Sequence, residues 1–188
     1  MSLYDSIEQI SRPRQIDEDH DAKIPKPSGF VFITGRIKEL IITAGGENVP
    51  PVLIEDQFKL AVNGLSNCMV IGDKRKFLTI LLCLTVEIDA EGAATNILAG
   101  RAVDTCKEIG STATTTDEAK NDPKWKEYLD QGMAKANAAA TSRAQNVGKW
   151  ALLSTDFTEV GGELTPTLKL KRSVAAGIHS EVIEALYA

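Results

Sequence analysis

A chain of 188 residues with 43% apolar and 25% charged residues has the make-up of one soluble globular domain with appendages, long enough to bury a real core. Its net charge of −5 argues against a general nucleic-acid binder, and no apolar run approaches the ~20 residues that a membrane span needs. Cys68, Cys83 and Cys106 are widely spaced, odd in number and without metal-ligand spacing, which suits free thiols buried in a reducing, intracellular compartment.

Residues 1–28 are polar, carry Pro13, Pro25 and Pro27 and an acidic run from Asp17 to Asp21, and read as a linker or loosely packed arm. Phe30 to Thr34 predicts a strand, with Leu40 to Thr43 as its hairpin partner. Gly45, Gly46, Glu47 and Asn48 form a glycine-rich loop. Pro50 and Pro51 then open a helix whose apolar face is Leu53, Ile54, Phe58 and Ala61, ending near Gly64. Cys68 to Gly72 and Phe77 to Val86 predict an antiparallel pair around a charged turn, Asp73 to Lys76.

From about residue 87 the composition shifts to Ala, Thr, Asp and Glu. Ile97, Ala102, Val103 and Ile109 predict one amphipathic helix. Asn121-Asp122-Pro123 offers a cap with proline just inside it for a second, striped by Trp125, Leu129, Met133, Ala136 and Ala140. The segment 90–147 therefore reads as a helical insertion. Lys149 to Ser154 predicts a further strand and Gly161-Gly162 a turn. Arg172 to Tyr187 predicts one closing helix, with Val174, Ile178, Val182 and Leu186 four residues apart. The expected fold class is α+β: a β-hairpin, a small sheet of about three strands and flanking helices. His20 and His179 have no Cys or acidic cluster at ligand spacing, so no metal site is expected.

Two stretches stand out chemically. In the first, Arg36 and Lys38 sit in a hairpin link shortly before the double glycine, where backbone can approach a ligand. In the second, Lys169, Lys171 and Arg172 follow a proline-containing turn, a setting suited to phosphate or carboxylate. Alone, either is equally well read as a solvated surface.

Together, ITGRIKELIITAGGENVPPVLIED and GGELTPTLKLKR resemble the hinge motif and the lysine motif of the acyl-adenylate-forming superfamily, in the right order and at wide separation. The wording is similar to that of long-chain and very-long-chain fatty acyl-CoA synthetases of the bubblegum type. The resemblance covers residues 29–188 and implies a mobile C-terminal domain. Such enzymes use ATP to convert a carboxylate to an acyl-adenylate, which CoA then attacks; Mg2+ is expected in the whole enzyme.

By that resemblance Lys38 is the hinge, and Arg36 helps to hold the adenylate. Gly45, Gly46 and Glu47 border the pantetheine path, and Lys169 is the catalytic lysine, with Arg172 as the trailing arginine. Leu168 stands where most relatives have glycine, so Lys171 is a competing choice. The superfamily's Ser/Thr/Gly-rich ATP loop and its Tyr-x-Thr-Gly-Asp motif are not found in these residues. The resemblance therefore implies a large ATP- and fatty-acid-binding domain as partner, and a chain inactive by itself. Peripheral membrane contact stays open. The alternative is a standalone, non-catalytic binding module derived from such a domain.

Overall fold

The computed structural model describes residues 39–188. Its centre is a three-stranded sheet in the order β3-β4-β7, formed by Leu65–Ile71, Leu78–Leu84 and Val147–Leu152. β3 and β4 pair antiparallel, with Cys68 opposite Leu82 and Val70 opposite Ile80. β4 and β7 run parallel, with Ile80 opposite Trp150 and Leu82 opposite Leu152. All seven residues of β4 are buried. That is why its sequence is a continuous apolar run rather than an alternating one: the strand is covered on both faces.

Alternate residues of β4 feed two separate cores. Leu78, Ile80, Leu82 and Leu84 face the larger, together with Phe58, Val62, Trp125 and Leu129. Leu81 and Cys83 face the smaller, with Met69, Leu153, Phe157, Leu164, Ala175 and Ile183.

Two short strands, β1 (Ile41–Ile42) and β2 (Asn48–Val49), pair antiparallel around the glycine loop. The predicted strand Phe30 to Thr34 lies outside the described residues, as do Arg36 and Lys38. Helix α1 (Pro51–Ala61) starts where expected, with Pro51 at its first position, and buries Ile54, Glu55 and Phe58.

A parallel pair needs a long crossover, and the segment after β4 supplies it. It is not wholly helical as the sequence suggested. Val86–Ile88 (β5) and Ala94–Leu98 (β6) form a second hairpin, and Ile97 lies in β6 rather than on a helix. Then come α2 (Gly100–Ile109), α3 (Thr116–Asn121) and α4 (Pro123–Ala138). Gly110 closes α2 in the left-handed conformation, at φ 70°. Thr115 and Glu118 form a capping box at the start of α3, and the Asp122 carboxylate accepts from Lys124 N at the start of α4. α4 lays Trp125, Leu129 and Ala136 into the larger core.

The predicted closing helix is two helices, α5 (Arg172–Ile178) and α6 (Ser180–Tyr187), parted at His179. Gly177, a poor helix former, stands just before the break. The Tyr187 hydroxyl meets Thr79 Oγ1 at 3.2 Å and donates toward the carbonyls of Ile71 and Phe77 at 3.2 and 3.1 Å. This bolts α6 to the ends of β3 and β4.

Candidate active site

The glycine loop is a tight turn built by its own backbone. Gly46 N donates to Thr43 O at 2.9 Å, and Glu47 N to Thr43 Oγ1 at 3.2 Å. Gly46 has φ +80°, which L side chains rarely adopt, and nothing lies within 4 Å of where its Cβ would be. Gly45, Gly46 and Glu47 are all exposed. The loop is fastened to the turn between β3 and β4: Ala44 N donates to Arg75 O at 2.9 Å and Lys74 N to Ile42 O at 2.8 Å. Arg75 is itself held over the Tyr187 ring, 4.6 Å from its centroid, and pairs with Glu184.

The lysine motif forms a small hairpin. Leu164 and Leu170 bridge its arms, Thr165 N donates to Lys169 O at 2.9 Å, and Leu168 N donates to Thr165 O at 2.8 Å. The Thr165 hydroxyl accepts from Lys169 N at 3.0 Å. Leu168 sits at φ 58°, in the left-handed region that favours glycine. Its side chain is 74% exposed, and Lys169 beside it is exposed as well. The Lys169 ammonium has no ion-pair partner among the described residues.

Arg172 is the opposite case. Its guanidinium forks onto both oxygens of Glu55, at 2.7 Å each. Glu55 Oε1 also accepts from Val70 N at 2.8 Å. Burial works against the Arg172 charge, but the Glu55 hydrogen bonds together with the negative charge of Glu55 and Glu39 hold the guanidinium above its ordinary range. This tie joins α1, which follows the glycine loop, to α5, which follows the lysine hairpin. It accounts for a trailing arginine without any ligand. Lys171 is half-buried at the start of α5, and its backbone N donates to Glu163 O at 2.7 Å.

Three residues beside these motifs were given no role from the sequence: Glu55, Glu163 and His179. Glu55 lies between Ile54 and Phe58 on the buried face of α1, a position that in hindsight calls for a charged partner. Burial pushes the Cys68 and Cys83 thiols up, away from thiolate character. The described residues hold no group of three or more His, Cys, Asp or Glu suited to a metal, and no helix long and apolar enough to cross a membrane.

The adenylation domain of a carboxylic acid reductase from Segniliparus rugosus, solved with AMP and a co-purified carboxylic acid, matches 87% of this chain and 22% of its own, with a TM-score of 0.59 and 18% identity. The described fold is thus similar to part of that adenylation domain.

Sequence carries the assignment further. A long-chain-fatty-acid–CoA ligase (ACSBG2) of Xenopus laevis is 44% identical over 180 residues, 92% of this chain and 24% of the ligase. A long-chain-fatty-acid–CoA ligase (ACSBG1) of Mus musculus is 44% identical over 162 residues, 85% of this chain and 22% of the ligase. The chain is homologous to the C-terminal part of the bubblegum-type long-chain fatty acyl-CoA synthetases, and spans about a quarter of their length. No family model matches it.

Proposed function

We propose that residues 29–188 are the mobile C-terminal domain of an AMP-forming long-chain fatty acid–CoA ligase, with residues 1–28 as an arm. Lys169 is its catalytic lysine. In adenylation the fatty-acid carboxylate attacks the α-phosphorus of ATP and pyrophosphate leaves. The Lys169 ammonium neutralises the charge that develops between the two reacting groups. Lys38 is the hinge, Arg36 holds the adenylate, and Gly45, Gly46 and Glu47 border the path by which CoA reaches it for the thioester step.

ATP, fatty acid and CoA are substrates of the whole protein, whose large domain is the partner of this one. Mg2+ accompanies ATP there; the described residues gather no ligand set for it, and no step here runs through it. Three cysteines, all buried as free thiols, suit a reducing intracellular compartment.

The observation that carries the reading is the junction of Leu168 and Lys169. The position that in the superfamily is glycine has a glycine backbone conformation here, φ 58°, and the next residue is an exposed lysine at a hairpin tip. This supports Lys169 over Lys171, whose backbone is committed to the base of the hairpin.

In the complete protein that carries these residues, Lys169→Ala is expected to lower adenylation, followed as pyrophosphate release, by about 10²–10³-fold. Thioester formation from supplied acyl-adenylate and CoA should continue. Normal rates in both half-reactions would remove Lys169 from its role. The chain of 188 residues by itself is expected to give no fatty-acid-dependent pyrophosphate exchange, and measurable exchange would overturn that part of the reading.

A further inference from the structure

We infer that Glu163 and His179 are a positioning pair that aims the Lys169 hairpin; this rests on Lys169 being the catalytic lysine. Glu163 is buried at the base of the hairpin, with only 8% of its side chain exposed, and His179 Nε2 lies 3.2 Å from its Oε1. Glu163 Oε2 accepts from Thr158 N at 3.4 Å. The Glu163 backbone is the last rung of the same hairpin, since its carbonyl accepts from Lys171 N at 2.7 Å. One residue thus anchors both arms. Its carboxylate reaches back to Thr158 and across to the joint of α5 and α6, and its carbonyl grips the returning strand beyond Lys169.

The surroundings are shaped around this carboxylate. A Cβ on Gly161 would fall inside contact distance of Glu163 Oε2, and 2.9 Å from Thr158 Oγ1. The first glycine of the motif therefore leaves room for the acid. Thr158 Oγ1 accepts from Gly161 N at 2.8 Å and closes the turn that leads into the hairpin. The His179 ring lies against Phe157, 5.7 Å between centroids.

Energetics point the same way. Leu164, Phe157, Ala175 and Ile183 make this an apolar core, where burying a carboxylate costs several kcal/mol unless it is paired, and where a well-packed apolar side chain would be no worse for stability. What a charged or hydrogen-bonded pair adds is direction. Apolar contacts let a two-rung hairpin slide, whereas hydrogen bonds of fixed geometry do not. A lysine that must meet developing charge needs that precision, because a misplacement of ~1 Å is worth on the order of 10²-fold in rate.

The test uses the complete protein and both half-reactions. Glu163→Ala and Gly161→Ala are each expected to lower adenylation by about 10- to 100-fold, with thioester formation from supplied acyl-adenylate within about twofold of wild type. Glu163→Gln, which keeps one oxygen to accept from Thr158 N and can turn its amide N–H toward an unprotonated His179 Nε2, should recover most of the adenylation rate. Parallel loss of both half-reactions in Glu163→Ala and Gly161→Ala would mean that the pair only maintains the fold, and unchanged adenylation in both would also overturn the inference. Lys169→Ala is run alongside. If it lowers adenylation while the Glu163 and Gly161 variants leave adenylation unchanged, the positioning pair fails and the catalytic assignment stands. If Lys169→Ala leaves adenylation intact, the catalytic assignment fails and takes the pair with it.

Discussion

The two faces of the central sheet are built on different principles. On one, α1, α2 and α4 bury an extended apolar core in which Phe58, Val62 and Trp125 have no exposed surface. On the other, α5, α6 and the lysine hairpin cover a smaller cluster and are held down largely by polar ties: Arg172 to Glu55, Glu163 to His179, and the Tyr187 hydroxyl to the strand ends. The first face provides the stability of the domain. The second trades apolar area for direction, and it is the one that displays Lys169.

Substitutions on the two faces should therefore fail differently. The largest stability effect is expected from Phe58→Ala, about 3–5 kcal/mol, because a fully buried aromatic leaves a cavity in the larger core. The check is the urea midpoint of the chain at unchanged slope. Glu55→Ala comes next, at roughly 2–3 kcal/mol. It strands the Arg172 guanidinium, whose side chain is 24% exposed and so keeps some water. Double replacement by apolar residues of similar size should recover most of that loss, and failure to recover would assign the pair more than a structural role.

Leu168→Gly should stabilise the chain by about 0.5–1 kcal/mol, since it relieves a left-handed leucine with little buried surface to lose. A drop in thermal midpoint would mean that the leucine packs against something else. The smallest effect belongs to Glu184→Gln, a slight loss that fades with salt, because its pair with Arg75 is a surface one. Insensitivity of that loss to salt would show that the cation–π seat of Arg75 on Tyr187 does the holding instead.

The larger face was the more legible in sequence. The proline-started α1, the body of the run from Phe77 to Val86 and the stripe of α4 from Trp125 to Ala136 form where expected, although Val86 begins β5 and Ala140 lies past the end of α4. Ile97 misled because one apolar residue fits a helix or a strand equally well, and the turn from Asp89 to Gly92, an aspartate first and a left-handed glycine fourth, was passed over. The break at His179 was hidden by a regular four-residue apolar spacing that two consecutive helices also satisfy. The polar ties were beyond reach for another reason. Glu55 and Arg172 are 117 positions apart, and no local pattern pairs residues at that distance. The lysine hairpin was found by its resemblance to a family, and nothing in its own periodicity would have marked Lys169 over Lys171.

The three cysteines are divided between the faces. Cys68 and Cys106 sit in the larger core and Cys83 in the smaller, though Cys68 and Cys83 are on adjacent strands. Burial keeps the Cys68 and Cys83 thiols protonated, so an alkylating reagent reaches either only when its side of the sheet opens. The molecule therefore carries a built-in pair of clocks. The relative labelling rates of Cys68 and Cys83 report, without any added probe, which layer of helices lifts off first.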